Sequence, residues 1–121
     1  MTTHEIAHQL VEFCKKGEWK KAQDSLYAEN AVSIEPKGSN FPELTEGLEA
    51  IKEKADQFDA MVEEMHGLEI EGPIIADGYF SCTMALDVTF KGMPRVKNSE
   101  ICVYKVEDGK IVSEQFFAKV A

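Results

Sequence analysis

Two glutamates stand out because each interrupts an apolar, β-branched run: Glu35 in NAVSIEP (residues 30–36) and Glu114 in KIVSEQFF (residues 110–117). Both runs have the character of extended strands, in which alternate side chains share one side. Ala31, Ser33 and Glu35 then face one way, and so do Val112, Glu114 and Phe116. A carboxyl among apolar walls is disfavoured as an anion, so its pKa rises toward neutrality. It becomes a useful base for moving a proton on an apolar carbonyl compound. If Glu35 and Glu114 share a cavity, they titrate as a coupled pair, and the one that stays protonated supplies a hydrogen-bond donor. On this expectation Glu35 is partly desolvated at a pocket's inner rim and carries a raised pKa, with Pro36 keeping the chain extended. Two blander readings stand beside it: Glu35 as a solvated rim acid, and Glu114 in a structural ion pair with Arg95 or a lysine of a neighbouring strand.

The other reactive side chains form no recognisable constellation. Cys14, Cys82 and Cys102 are odd in number, widely spaced and set in apolar runs, which suits buried thiols in a reducing compartment. His4 and His8 lie beside Glu5 and Glu12 with no third ligand at a metal-binding spacing, so no metal site and no cofactor are expected. His66 reads as a helix C-terminal residue. Trp19 and Tyr27 read as core packing at helical positions, and Tyr104 as either core or the one available oxyanion donor. No phosphate-binding loop, nucleophile elbow or zinc-protease motif occurs.

The elements that must position the two acids follow from periodicity. Ile6, Leu10, Phe13 and Cys14 mark a first helix that Thr2 and Glu5 close as a capping box, and Gly17 sits just past its end. Trp19, Ala22 and Leu26 mark a second helix, followed by the short strand that ends at Glu35. PKGSNFPELTEG reads as an irregular loop, with Phe41 a candidate mobile flap. A third helix starts near residues 45–47 and carries Leu48, Ile51, Ala55, Phe58, Met61, Val62 and Met65 on its apolar face. After Gly67 the pattern is all strand: HGLEIEG, PIIADG, YFSCTMALDVTFKG, RVKNSEICVYKV and KIVSEQFFAKV. Their short connections require antiparallel pairing. Helices first and sheet afterwards make an α+β fold, three helices on one face of a strongly curved antiparallel sheet.

The chain has 121 residues and is 44% hydrophobic, enough for one domain spanning residues 1–121 with a single core. A formal net charge of -9 opposes nucleic acid and anionic membranes as partners. No segment is apolar enough to span a bilayer, and MTTHEIAHQL lacks the character of a signal peptide, so a cytoplasmic location is expected.

KKGEWKKAQDSLYAENAVSIEP, the helix EGLEAIKEKADQF and the closing hairpin ICVYKVEDGKIVSEQFF together resemble the nuclear transport factor 2-like superfamily, specifically its SnoaL-like branch. The resemblance covers nearly the whole chain. It implies a cystatin-like α+β roll: a cone in which the sheet wraps the helices and leaves a pocket at the wide end. It also implies a cofactor-independent isomerase, cyclase or dehydratase, or else a non-catalytic ligand-binding or dimerising module, because the fold by itself specifies no chemistry. Glu35 falls at the general-base position of the ketosteroid isomerases, and Glu114 near the acid/base carboxylate of the polyketide cyclases. Leu10 and Cys102 occupy the isomerases' oxyanion-donor positions, and neither is a strong donor. Leu10, Phe58, Met61, Met84, Cys102, Tyr104 and Phe116 are expected to line a mostly apolar pocket for a small carbonyl compound. Ile101, Val103 and Phe117, with Thr83 and Ala85, are expected to form an outer face that pairs two copies as a homodimer.

Overall fold

The computed structural model describes residues 1–120. Two helices, α1 (Thr3–Lys15) and α2 (Trp19–Leu26), lead into β1 (Tyr27–Ile34) and β2 (Leu44–Glu46). Helix α3 (Leu48–Met61) then precedes four long strands: β3 (Val62–Ala76), β4 (Tyr79–Phe90), β5 (Val96–Glu107) and β6 (Lys110–Ala118). The Thr2 side chain accepts from the Glu5 amide and the Glu5 side chain accepts from the Thr2 amide, so the capping box forms as the sequence predicts. Gly17, at φ 68°, takes the left-handed turn from α1 toward α2.

All six strands form one sheet in the order β2-β1-β6-β5-β4-β3. The consecutive strands β3 to β6 are antiparallel, as their short turns demand. Strand β1 runs parallel to β6, a pairing open to it because the rest of the chain lies between them. Bulges at three places in β3 bend the sheet around the helices. The core joins Ile6, Leu10 and Cys14 of α1 to Leu26, Ile51, Phe80, Cys102, Tyr104 and Ile111.

The structure differs from the sequence reading at four boundaries. The segment read as one irregular loop contains β2, paired antiparallel with β1. Helix α3 stops at Met61, so Val62 and Met65 are strand residues; the acidic, β-branched junction after it pairs with β4 instead of continuing the helix. HGLEIEG and PIIADG are a single bulged strand. Tyr27 is already extended where α2 ends, and opens β1. His66 accordingly caps no helix: on β3 its ring meets Glu64 at 3.1 Å and the Thr89 hydroxyl at 2.7 Å.

Candidate functional site

Strand alternation and sheet register bring a polar cluster to the inner side of the sheet. Ser33 of β1 and Glu114 of β6 are register partners, and Glu114 faces Tyr104 across the β5–β6 pair. Ser33 is fully buried and Glu114 nearly so, at 3% exposure. The Glu114 carboxylate accepts from the Tyr27 hydroxyl and, at 2.6 Å, from the Ser33 hydroxyl. Burial raises its pKa, while the two hydroxyl donors and Lys54 pull the other way. Arg95 is bonded to Asp87 at the surface, so it is not the partner of Glu114.

Lys54 reaches into this cluster from α3. It lies three residues after buried Ile51 and one before buried Ala55, on the helix face that meets the sheet. Its ammonium donates to Ser33 Oγ at 2.5 Å and to Glu35 Oε2 at 2.8 Å. The ion pair is largely shielded, with side chains 11% and 13% exposed. Glu35 therefore lies just past the end of β1, partly buried and paired to a lysine, and not as a lone desolvated acid.

The third carboxylate is Glu100 on β5, two residues before Cys102 and on the same side of the strand. It is partly buried, and it accepts from the Cys102 thiol at 3.8 Å. Burial first, and then the charge of Glu35, push its pKa up to about 7; Glu114 acts in the same direction, and Lys54 and the thiol oppose. Glu35 is thus bonded to the Lys54 ammonium, Glu114 is linked to it through Ser33, and Glu100 lies close enough to feel the charges of all three. The two with raised pKa are Glu100 and Glu114.

The residues expected to line a pocket separate into groups. Leu10, Met84, Cys102 and Tyr104 are in the packed core, where Tyr104 stacks on Phe80 at 4.8 Å. Phe116 packs against that core and lies 5.5 Å from the Lys54 ammonium. Phe58 lines a different feature, a solvent-open cleft of about 380 Å³ with Trp19, Val62, Met65 and Leu68. Met61 ends α3, its carbonyl accepting from the Lys91 amide. All three cysteines are buried and free. Among the described residues no three potential ligands gather in a metal-binding arrangement, and no helix is long and apolar enough to cross a membrane.

Sequence reasoning missed Lys54, Glu100, Ser33 and Tyr27 as site residues. Two of them had a signal: Lys54 breaks the Ile51, Ala55, Phe58 stripe, and Glu100 alternates in phase with Cys102 and Tyr104.

A family model described as "SnoaL-like domain" matches residues 1–118. Among solved structures, a candidate SnoaL-like polyketide cyclase (carbohydrate phosphatase) from Mesorhizobium loti shares 32% identity at a TM-score of 0.87. That alignment covers 97% of this chain and 99% of that one. A candidate isomerase from Bacillus subtilis aligns at 20% identity and a TM-score of 0.76, over 98% and 90% of the two chains. A protein of unknown function with a cystatin-like fold from Xanthomonas campestris aligns at 15% identity and 0.77, over 99% and 92%. These last two similarities concern the fold alone. No curated protein matches the chain.

Proposed function

The chain belongs to the SnoaL-like domain family, and we propose that it is a cofactor-independent proton-transfer enzyme acting on a small carbonyl compound, with Glu100 as its acid/base group. The observation that carries this is the buried chain Glu114–Ser33–Lys54–Glu35, whose one cation is Lys54, with Glu100 within reach of its charges. Three anions and one buried cation are a poor combination in a low-dielectric setting, so a proton is retained on one of the acids. Glu100 is the best placed to exchange it. Its one side-chain partner is a weak thiol donor, whereas Glu35 is committed to Lys54 and Glu114 to two hydroxyls. A carboxyl titrating near neutrality can take a proton from an acidic C–H and return it to another atom. Isomerisation, cyclisation and dehydration all use such a step.

The test is to follow the glutamate side-chain carboxyl carbons by NMR between about pH 3 and 9. Glu100 is expected to titrate near 7. A Glu100 midpoint near the ordinary glutamate value of about 4.3 would instead support a non-catalytic binding module.

We also propose that the protein acts as a homodimer. Ile101 and Phe117 are register partners across β5 and β6 and are 50% and 48% exposed, an apolar pair on the sheet face opposite the cluster. Covering that face removes this surface from water. Sedimentation at micromolar concentration is expected to show twice the 13.5 kDa chain mass, and Phe117→Glu to shift it to monomer; a wild-type monomer overturns the proposal. Three free, buried thiols support a reducing, cytoplasmic setting.

A further inference from the structure

Building on that proton-transfer function, we infer that Lys54 is the oxyanion donor of the site: its ammonium receives the negative oxygen that develops on the substrate. The residues at the two family donor positions, Leu10 and Cys102, are core side chains, and the tyrosine hydroxyl of the cluster, on Tyr27, is spent on Glu114. An ammonium has three donors. Among the described residues Lys54 commits two of them, to Ser33 Oγ and Glu35 Oε2, which leaves one for a ligand. Those two bonds fix the group in place. Ser33 is itself held by Glu114, and Glu114 by Tyr27, so a chain of buried hydrogen bonds sets the direction of the ammonium before any substrate arrives. The ring of Phe116 lies 5.5 Å from Nζ and offers an apolar wall beside it.

The proton and electron balance is complete without a co-reactant. The Glu100 carboxylate takes a proton from the carbon next to the substrate carbonyl. The C–H electron pair becomes the C=C bond of an enolate, and the carbonyl π pair moves onto oxygen, where Lys54 donates to it. Glu100, now neutral, returns the proton to the same or another carbon and the carbonyl re-forms. Charge moves from Glu100 to the substrate oxygen, so the total charge of the cluster never changes. A stable oxyanion should therefore bind favourably when Glu100 is protonated, and poorly when it is ionised. The groups that face Glu100 are Glu35 just after β1, Lys54 of α3, Glu114 of β6, and the thiols Cys14 of α1, Cys82 of β4 and Cys102 of β5. Of these, Lys54 is the only cation.

The experiment uses 2,4-dinitrophenolate as a stable oxyanion and 2,4-dinitrotoluene as its uncharged counterpart, titrated into the full chain by calorimetry at about pH 6 and about pH 8. The phenolate is expected to bind the wild type in preference to the toluene, and to weaken as pH rises through about 7, the Glu100 midpoint. Lys54→Met is expected to lose about 10- to 100-fold in phenolate affinity, the range for a charge-assisted hydrogen bond. Because Lys54→Met strands Glu35, the double variant Lys54→Met/Glu35→Gln is measured beside it, with circular dichroism to establish folding. No phenolate preference in the wild type, or unchanged phenolate affinity in either folded variant, overturns the assignment. The outcome is separable from that of the proton-transfer proposal: Glu100 titrating near 7 while Lys54→Met binds normally would remove only the donor role. An ordinary Glu100 titration with intact Lys54 dependence would remove only the acid/base role.

Discussion

Glu100→Gln is expected to abolish exchange of the α-hydrogens of a small aryl ketone while making the protein less sensitive to pH. With 2-tetralone in heavy water, the wild type should accelerate deuterium incorporation, followed by proton NMR, and the variant should lose about 10²- to 10⁴-fold of that acceleration, the usual contribution of a positioned acid/base group. The stability effect has a defined sign. The folded-state pKa of Glu100, about 7, lies above its ordinary value of 4.5, so the native state holds a proton that the unfolded state releases. This contribution is fully present below about pH 4.5 and disappears as pH rises through 7, a loss of about 3 kcal/mol over that window. Glutamine cannot ionise, so urea unfolding of the variant should lack this part of the slope. Glu114, also raised by burial, adds a slope of the same sign; Asp87, lowered by its bonds to Arg95, adds one of opposite sign at lower pH. Asp87 is unaltered in Glu100→Gln, so the difference between the two proteins reports Glu100 together with its charge coupling to Glu114. Equal exchange rates in variant and wild type would exclude Glu100 as the base, and equal pH slopes would mean that it is not desolvated.

Glu114→Ala should be the most destabilising single change in the cluster. It removes the acceptor of two buried hydroxyls, leaving those of Tyr27, 5% exposed, and Ser33, fully buried, without their partner. An unsatisfied buried polar group costs about 1–3 kcal/mol, so the pair should cost roughly 2–5 kcal/mol. Glu114→Gln keeps the shape, can still accept from one hydroxyl and donate to the other, and carries no charge to desolvate; its cost should be nearer about 1 kcal/mol. The measurement is the shift of the urea midpoint at unchanged slope. If alanine and glutamine were equally tolerated, the Tyr27–Glu114–Ser33 chain would not be what orders this part of the interior, and the fixed direction of Lys54 would lose its support.

The architecture was legible in the order and period of the residues, because those properties are local. Thr2 and Glu5 specify a helix start within four residues, and Gly17 its end. Closely spaced turns at Asp77-Gly78 and Asp108-Gly109 compel antiparallel neighbours. Alternation placed Ser33 and Glu35 on one side of a strand, and Glu114 on the inner side of its own. Where competing local preferences were balanced, the boundaries moved: Val62 and Met65 fit a helical stripe and a strand equally well, and only pairing with Phe90 and Val88 of β4 decides for the strand. Tyr27 likewise fits the last turn of α2 until β6 offers it a neighbour at Ile111.

The partners of the acids were decided by tertiary structure alone. Ser33 and Glu114 are 81 positions apart and meet because β1 lies parallel to β6, a pairing that no turn announces. Lys54 and Glu35 are 19 apart and meet because α3 packs over β1. A lysine within an apolar helical stripe and a glutamate in phase with Cys102 and Tyr104 are visible in the sequence as irregularities. Charge and desolvation, however, depend on distances through space. An acid's neighbours across the sheet, and not its neighbours along the chain, determine that Glu35 is paired with Lys54 while burial and the charge of Glu35 push the Glu100 pKa up.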